Sequence, residues 1–288
     1  MPPSEVLVLP LGSGPELALI DASRDASRDG SATAAVWPGV GALMRSINLL
    51  CLPAGASTIR LEHPGESVYY VKAGAGSVVG DASDAGGPVV EGSMVHLSSH
   101  TGHRFVAGAE GIELFGGPCP PDPAMYTWIA PRPVASAYGA AGDDDVDPER
   151  RPRADDGTIN VLHRDIPALM LPLISADARM IVWPGVGAWD ATMNYVRMEV
   201  GEANVVHAHH DSEDTIVILE GRGSVADLTN DRVLEFSAGD VIHVPMRVRH
   251  AVRADRDSIV VSVGGPAPAD LVMLRACGAD LPERVDRP

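Results

Sequence analysis

Cysteine is scarce in this chain. Cys51, Cys119 and Cys277 are the three. Odd in number and far apart, they supply neither a disulfide framework nor a CxxC metal pair. That usage fits a reducing compartment, and the cytoplasm is the expected location. No apolar run approaches the roughly 20 residues of a membrane-spanning helix, so no membrane partner is expected. The opening Met1-Pro2-Pro3-Ser4-Glu5 lacks a basic segment followed by an apolar stretch, and no signal peptide is expected. Positive charge is outnumbered: 22 Lys and Arg face 39 Asp and Glu, a formal net charge of −17. That balance argues against nucleic acid or an anionic membrane surface as a partner. Aromatics make up only 4% of the residues, whereas Gly (30) and Pro (24) are plentiful and 45% of the chain is hydrophobic. This is the profile of many short strands joined by tight turns around a sizeable core. The 288 residues suffice for one large or two ordinary domains.

The chain repeats itself. Trp37-Pro-Gly-Val-Gly-Ala42 returns as Trp183-Pro-Gly-Val-Gly-Ala188. Gly55 answers Gly201 at the same offset. After a slip of one residue, His63 answers His210 and Glu66 answers Glu213. Gly74, Gly76, Ser77 and Val78 then answer Gly221, Gly223, Ser224 and Val225, and Gly92, His96 and His103 answer Gly239, His243 and His250. Two halves of one architecture follow, independent of any family. The pattern inside each half is all-β. Runs such as Ser67–Val71, Met94–Leu97 and Ile259–Val263 are bounded by Gly, Asp, Asn or Pro. Val6–Leu9 reads as a further strand and Leu271–Arg275 as a helical piece. The polar repeat Asp21–Gly30 reads as a loop. We divide the chain into an N-terminal domain over 1–119, a Pro-, Ala- and Asp-rich linker over 120–156, and a C-terminal domain over 157–288. In each Trp-Pro-Gly hexapeptide, Pro presets φ and Gly permits positive φ, so a turn is expected, with Trp37 and Trp183 packing against a barrel.

The chemistry concentrates in His207-Ala-His209-His210-Asp211-Ser212-Glu213-Asp214, followed by the β-branched run Thr215–Leu219. On extended backbone His207 and His209 share a face. His250 lies downstream in a strand-rich segment. Imidazoles and a carboxylate converging from neighbouring strands suit a divalent first-row metal. The acidic partner is Glu213 or Asp214, and strand parity makes them mutually exclusive. Counting forward from His209 selects Glu213. Counting back from Gly221 along the firmer register of the strand selects Asp214, which we favour. His210 and His63 suggest a shared structural role. His243 and His96 sit in apolar strands, as core histidines or as groups that orient a ligand.

The sequence resembles a bicupin, two cupin domains in one chain. Gly201, His207, His209, an acidic residue and Gly221 fall in the order of the family's first motif. Gly239, Pro245 and His250 follow the second, although Arg247 and Ala254 replace its glycine and asparagine. The resemblance implies an all-β fold of two tandem jelly-roll-type (double-stranded β-helix) barrels. It also implies one divalent transition metal per chain (Fe, Mn, Ni, Co or Zn) on His207, His209, Asp214 and His250, with Glu213 as the alternative acid. The first half departs further: Arg60 stands for His207, Glu62 for His209 and Ser67 for Asp214. Glu62, His63, Glu66 and His103 remain there as a vestigial site in a domain expected to be metal-free. Functionally the resemblance implies a metal-dependent enzyme acting on a small oxygen-bearing metabolite. Dioxygenase is the leading subclass; isomerase, decarboxylase, aminohydrolase and a non-catalytic ligand-binding module are the alternatives. A small-molecule substrate and a homodimer are the expected partners.

Overall fold

Short β-branched runs and Gly/Pro turns produce seventeen strands in the computed structural model of the chain, which describes residues 5–23, 29–82, 85–127, 157–166 and 168–282. In the first half these are β1 (Leu7–Pro10), β2 (Ser31–Val36), β3 (Ile47–Leu52), β4 (Glu66–Gly80), β5 (Gly86–Val90), β6 (Ser93–Leu97) and β7 (His103–Cys119). The second half contains β8 (Ile159–His163), β9 (Leu169–Met170), β10 (Asp177–Val182), β11 (Met193–Met198), β12 (Glu213–Glu220), β13 (Arg222–Asp227), β14 (Arg232–Ser237), β15 (Asp240–Val244), β16 (His250–Ala254) and β17 (Val260–Ala267). The helix α1 (Leu271–Ala276) follows. The architecture is the one expected, two tandem antiparallel jelly-roll barrels. Each hexapeptide forms a short 3-10 turn, Pro38–Val40 and Pro184–Val186. Each turn is closed by a left-handed glycine, Gly41 at φ 93° and Gly187 at φ 91°. Trp37 stacks on Tyr126 at 5.6 Å in the first barrel, and Trp183 packs against the core of the second.

The sheets do not divide where the sequence suggested. β1 pairs antiparallel with β15, Leu7 opposite His243, and so belongs to the second barrel. β8 pairs with β6, Ser93 opposite His163, and so completes the first. Each half thus donates one strand to the other. Residues 120–127, assigned to the linker, fold onto the first barrel, where Met125 and Tyr126 are buried in its core. The rest of that linker, 128–156, lies outside the described residues, as do residues 24–28 of the polar repeat.

One apolar cluster fills each barrel. A third cluster lies between them and draws on both halves, with Val68, Tyr70, Met94 and Phe115 against Val217, Val241 and Val263. Two buried carboxylates pin this junction reciprocally. Glu66 accepts backbone N–H bonds from Trp189, Asp190 and Ala191 at 2.9, 2.8 and 3.0 Å. Glu213 accepts from Leu43 at 3.0 Å and from Met44 at 2.8 Å. Each carboxylate therefore caps the segment that follows the other half's Trp-Pro-Gly turn. Their electrostatics differ. Burial pushes both carboxyls up, but His96, 3.5 Å from Glu66, brings that one below its ordinary value. Glu213 has no such partner and stays raised.

Candidate metal centre

Strand pairing assembles the candidate site. His207 lies on extended backbone bridged to His250 at the start of β16: His207 N–H donates to His250 O at 3.1 Å, and His250 N–H returns to His207 O at 2.9 Å. His209 follows on the same face, and Asp214 enters from β12. One nitrogen of each ring is committed to an acceptor. Nδ1 of His207 donates to Val205 O (2.8 Å), that of His250 to Val248 O (3.0 Å), and that of His209 to Asp270 Oδ2 (2.7 Å). Those bonds fix the tautomers and leave the Nε2 lone pairs free to converge.

The donor atoms of His207, His209, Asp214 and His250 lie within 4.8 Å of one another. Asp214 Oδ2 is 3.7 Å from His209 Nε2 and 3.8 Å from His250 Nε2. Nε2 of His209 and of His250, and Oδ1 of Asp214, are buried with no hydrogen-bond partner among the described residues. Such orphaned acceptors are costly unless a cation satisfies them. Three neutral imidazoles and one carboxylate fit a divalent transition metal that prefers five or six ligands, which leaves positions open. A closed structural zinc site would be four-coordinate and usually thiolate-rich.

The charges of the pocket agree with that reading. Burial, aided by His250 and His209, pulls His207 down to about 4. Burial opposes protonation of His209 as well, but Asp214 and Asp270 outweigh it and raise that ring to about 9. Asp214 is held well below the usual carboxylate range, because His209 and His250 outweigh its burial. His207, His209, Asp214 and His250 would hold a cation in place of that proton.

The other residues singled out in the sequence are placed as follows. Glu213, the alternative acid, points to the opposite face of β12 and is consumed at the junction between barrels. His243 does not orient a ligand. It pairs across the ladder with Thr215, one residue out of phase with Asp214, and faces the first barrel. His210 is exposed. The first-barrel group is not brought together. Glu62 is an exposed partner of Arg60, and Glu66 lies at the junction. Only His63 and His103 meet, with ring centroids 6.2 Å apart, and burial pushes His103 down to about 3.

The repeat register itself needs correction. Leu61 bridges His103 as His207 bridges His250. His100 N–H donates to His63 O, as Arg247 N–H does to His209 O, both at 2.7 Å. His63 is therefore the counterpart of His209 rather than of His210, and Leu61 that of His207 rather than Arg60. The extra residue of the second half sits in the turn after the histidine, where His210-Asp211-Ser212 corresponds to Pro64-Gly65. The first barrel keeps two of four ligand positions and has Leu61 and Ser67 at the others.

Sequence reasoning missed Asp270. Its Oδ1 caps α1 by accepting from Met273 N–H at 2.9 Å, while Oδ2 holds His209. Asp122 does the same for His63 (2.9 Å) while capping the 3-10 turn Pro123–Tyr126. The signal available was an Asp just before a short helical run in each half. Asp270→Ala is expected to lower metal affinity 10–100-fold without removing a ligand, as read by competition with a chromophoric chelator.

The cupin-domain family model matches residues 194–263, the segment that carries all four donors. The second half thus carries a cupin domain. Its fold has close counterparts among solved structures. Oxalate decarboxylase from Bacillus subtilis superposes with a TM-score of 0.61 at 15% identity, covering 92% of this chain and 76% of that one. The Lactobacillus farciminis oxalate decarboxylase formate complex gives 0.61 at 15% identity over 92% and 86%. Protein Ylba from E. coli gives 0.62 at 13% identity over 93% of each chain. At these identities the likeness establishes the fold alone. No curated protein matches this chain.

Proposed function

We propose that this chain is a metal-dependent enzyme whose chemistry lies in the second barrel and whose substrate is a small oxygen-bearing metabolite. The observation that carries the reading is the set of three tautomer-fixed imidazoles and a carboxylate with orphaned, converging donor atoms. A divalent metal there supplies Lewis acidity and open positions for a chelating oxygen. The chain's own residues set the access and the walls. His207 is partly exposed whereas His209, Asp214 and His250 are buried, so the approach runs past His207. Val205 and Val206 flank that approach and are 58% and 44% exposed. Met198, Ile218, Phe236, Val252 and Val260 line the core behind it.

Among the described residues Arg45 is the only fully buried Arg or Lys, and it lies at the junction between barrels. The second barrel therefore offers no buried cationic side chain to pair with a second carboxylate. This supports a substrate that ligates through one oxygen-bearing group and carries an apolar remainder, and it disfavours a compact dianion such as oxalate. Dioxygenation of such a substrate is the subclass we put first. Decarboxylation, the activity named for two of the fold neighbours, is the second reading.

The test is turnover of a panel of hydroxy-acid, keto-acid and diketone substrates by the metal-loaded protein, with oxygen consumption followed alongside. Oxygen uptake coupled to substrate loss supports the dioxygenase. Carbon dioxide release without oxygen uptake replaces it with a decarboxylase. Metal bound without turnover of any member of the panel leaves a ligand-binding module and overturns the enzyme reading.

A further inference from the structure

The junction between the barrels holds a set of buried polar groups that the metal centre does not use. Arg45 follows the first Trp-Pro-Gly turn and is fully buried. Its Nη1 donates to Thr192 O at 2.6 Å and to Gly265 O at 3.2 Å. Its Nε and Nη2 have no partner among the described residues. Among the described residues no carboxylate hydrogen-bonds the guanidinium: Asp214 acts on it only through space, and Glu213 is spent on backbone N–H groups of Leu43 and Met44.

Strand register places two more orphaned groups beside it. Gly265 on β17 is opposite Thr215 on β12, and Thr215 is opposite His243 on β15. These three positions are neighbours across adjacent strands, roughly 4.8 Å apart, on the face turned towards the first barrel. Thr215 Oγ1 and both ring nitrogens of His243 are buried without partners. Each half has one such face, but the corresponding residue after the second turn is Ala191, so the guanidinium is confined to one side. His96, the counterpart of His243, is engaged by Glu66 and by Asn160 at 3.2 Å.

The donor inventory selects the ligand. Arg45 offers one Nε–H and two Nη2–H, Thr215 one hydroxyl, and neutral His243 one N–H, whereas the acceptors are a hydroxyl oxygen and one ring nitrogen. A site with an excess of donors and one unpaired positive charge suits an anion better than water. We propose that this junction is a binding site for a small inorganic anion of the halide class, held by Arg45 and Thr215 with His243 alongside. The anion neutralises the guanidinium and bonds the two barrels through residues of both halves. The proposed site uses none of the four metal donors: Asp214 points to the other face of β12, and His207, His209 and His250 lie outside the sheet that holds β12, β15 and β17.

Crystals of the full-length chain grown with bromide in place of chloride test it directly. An anomalous bromine peak within bonding distance of Arg45 Nε or Nη2 and of Thr215 Oγ1 is expected. In parallel, Tm is measured on adding bromide at constant ionic strength to protein dialysed into a bulky organic anion. The wild type is expected to rise with bromide, and the near-isosteric Thr215→Val variant to need at least tenfold more bromide for the same rise. A solvent peak without anomalous signal at Arg45 overturns the proposal. Bromide confined to the protein surface does so as well, as does a Tm response equal in both proteins.

Discussion

Replacing His207 and His250 together by Ala is expected to reduce bound transition metal from about one per chain to none, while the chain stays folded. The two rings supply half of the donor set, and they face each other across one backbone bridge, with centroids 4.3 Å apart. What remains, His209 and Asp214, is a two-donor fragment. Its loss of affinity should exceed the 10–100-fold of a change outside the ligand set. Truncation also removes the orphaned His250 Nε2 from the buried pocket, which offsets part of the packing lost in the metal-free protein. Elemental analysis of purified wild type and variant checks stoichiometry, and far-UV circular dichroism checks the fold. Two metals per chain in the wild type would mean that His63 and His103 also recruit an ion, despite Leu61 and Ser67. No metal after reconstitution would remove the basis of the enzymatic reading.

The second large effect concerns the neighbouring residue. Glu213→Ala is expected to destabilise the protein by about 3 kcal/mol while leaving the metal stoichiometry unchanged, the reverse of the histidine pair. The carboxylate is buried and serves Leu43 and Met44, and each orphaned backbone N–H costs about 1–3 kcal/mol. At about 2–4 °C per kcal/mol for a domain of this size class, Tm should fall by roughly 6–12 °C. Asp214→Ala, one residue away, should instead abolish metal binding. If Glu213→Ala lost its metal while keeping its Tm, the assignment of the two faces of β12 would be wrong.

The contrast between those adjacent residues indicates how far the sequence could be read. Repetition of the Trp-Pro-Gly turn and of the glycines at strand ends made the two-barrel architecture legible, because turns are local and their chemistry is fixed by one or two residues. The His-x-His spacing and the count back from Gly221 led to His207, His209 and Asp214, because strand parity is a local rule as well. What stayed hidden was non-local. Asp270 reaches His209 across 61 positions, and its place before a short helical run marks a cap but not that contact. The place of the single inserted residue was invisible for a related reason. A repeat aligned on identities draws His63 to His210, whereas backbone pairing makes it the equivalent of His209. Glu66 and Glu213 looked like ligands because they recur, and they recur because both halves need the same clamp on each other.

The exchange of β1 and β8 has a consequence for the history of each molecule as it is made. β1 is synthesised long before its partner β15, which begins only at Asp240. β1 must therefore wait, unpaired, until β15 has emerged. The first barrel in turn stays one strand short until His163 has emerged. Neither barrel can finish before the other has begun, so the nascent chain carries open strand edges over a long interval. In that interval capture by a second nascent chain competes with closure. A protein whose two halves look like independent copies is thus committed to maturing as one unit.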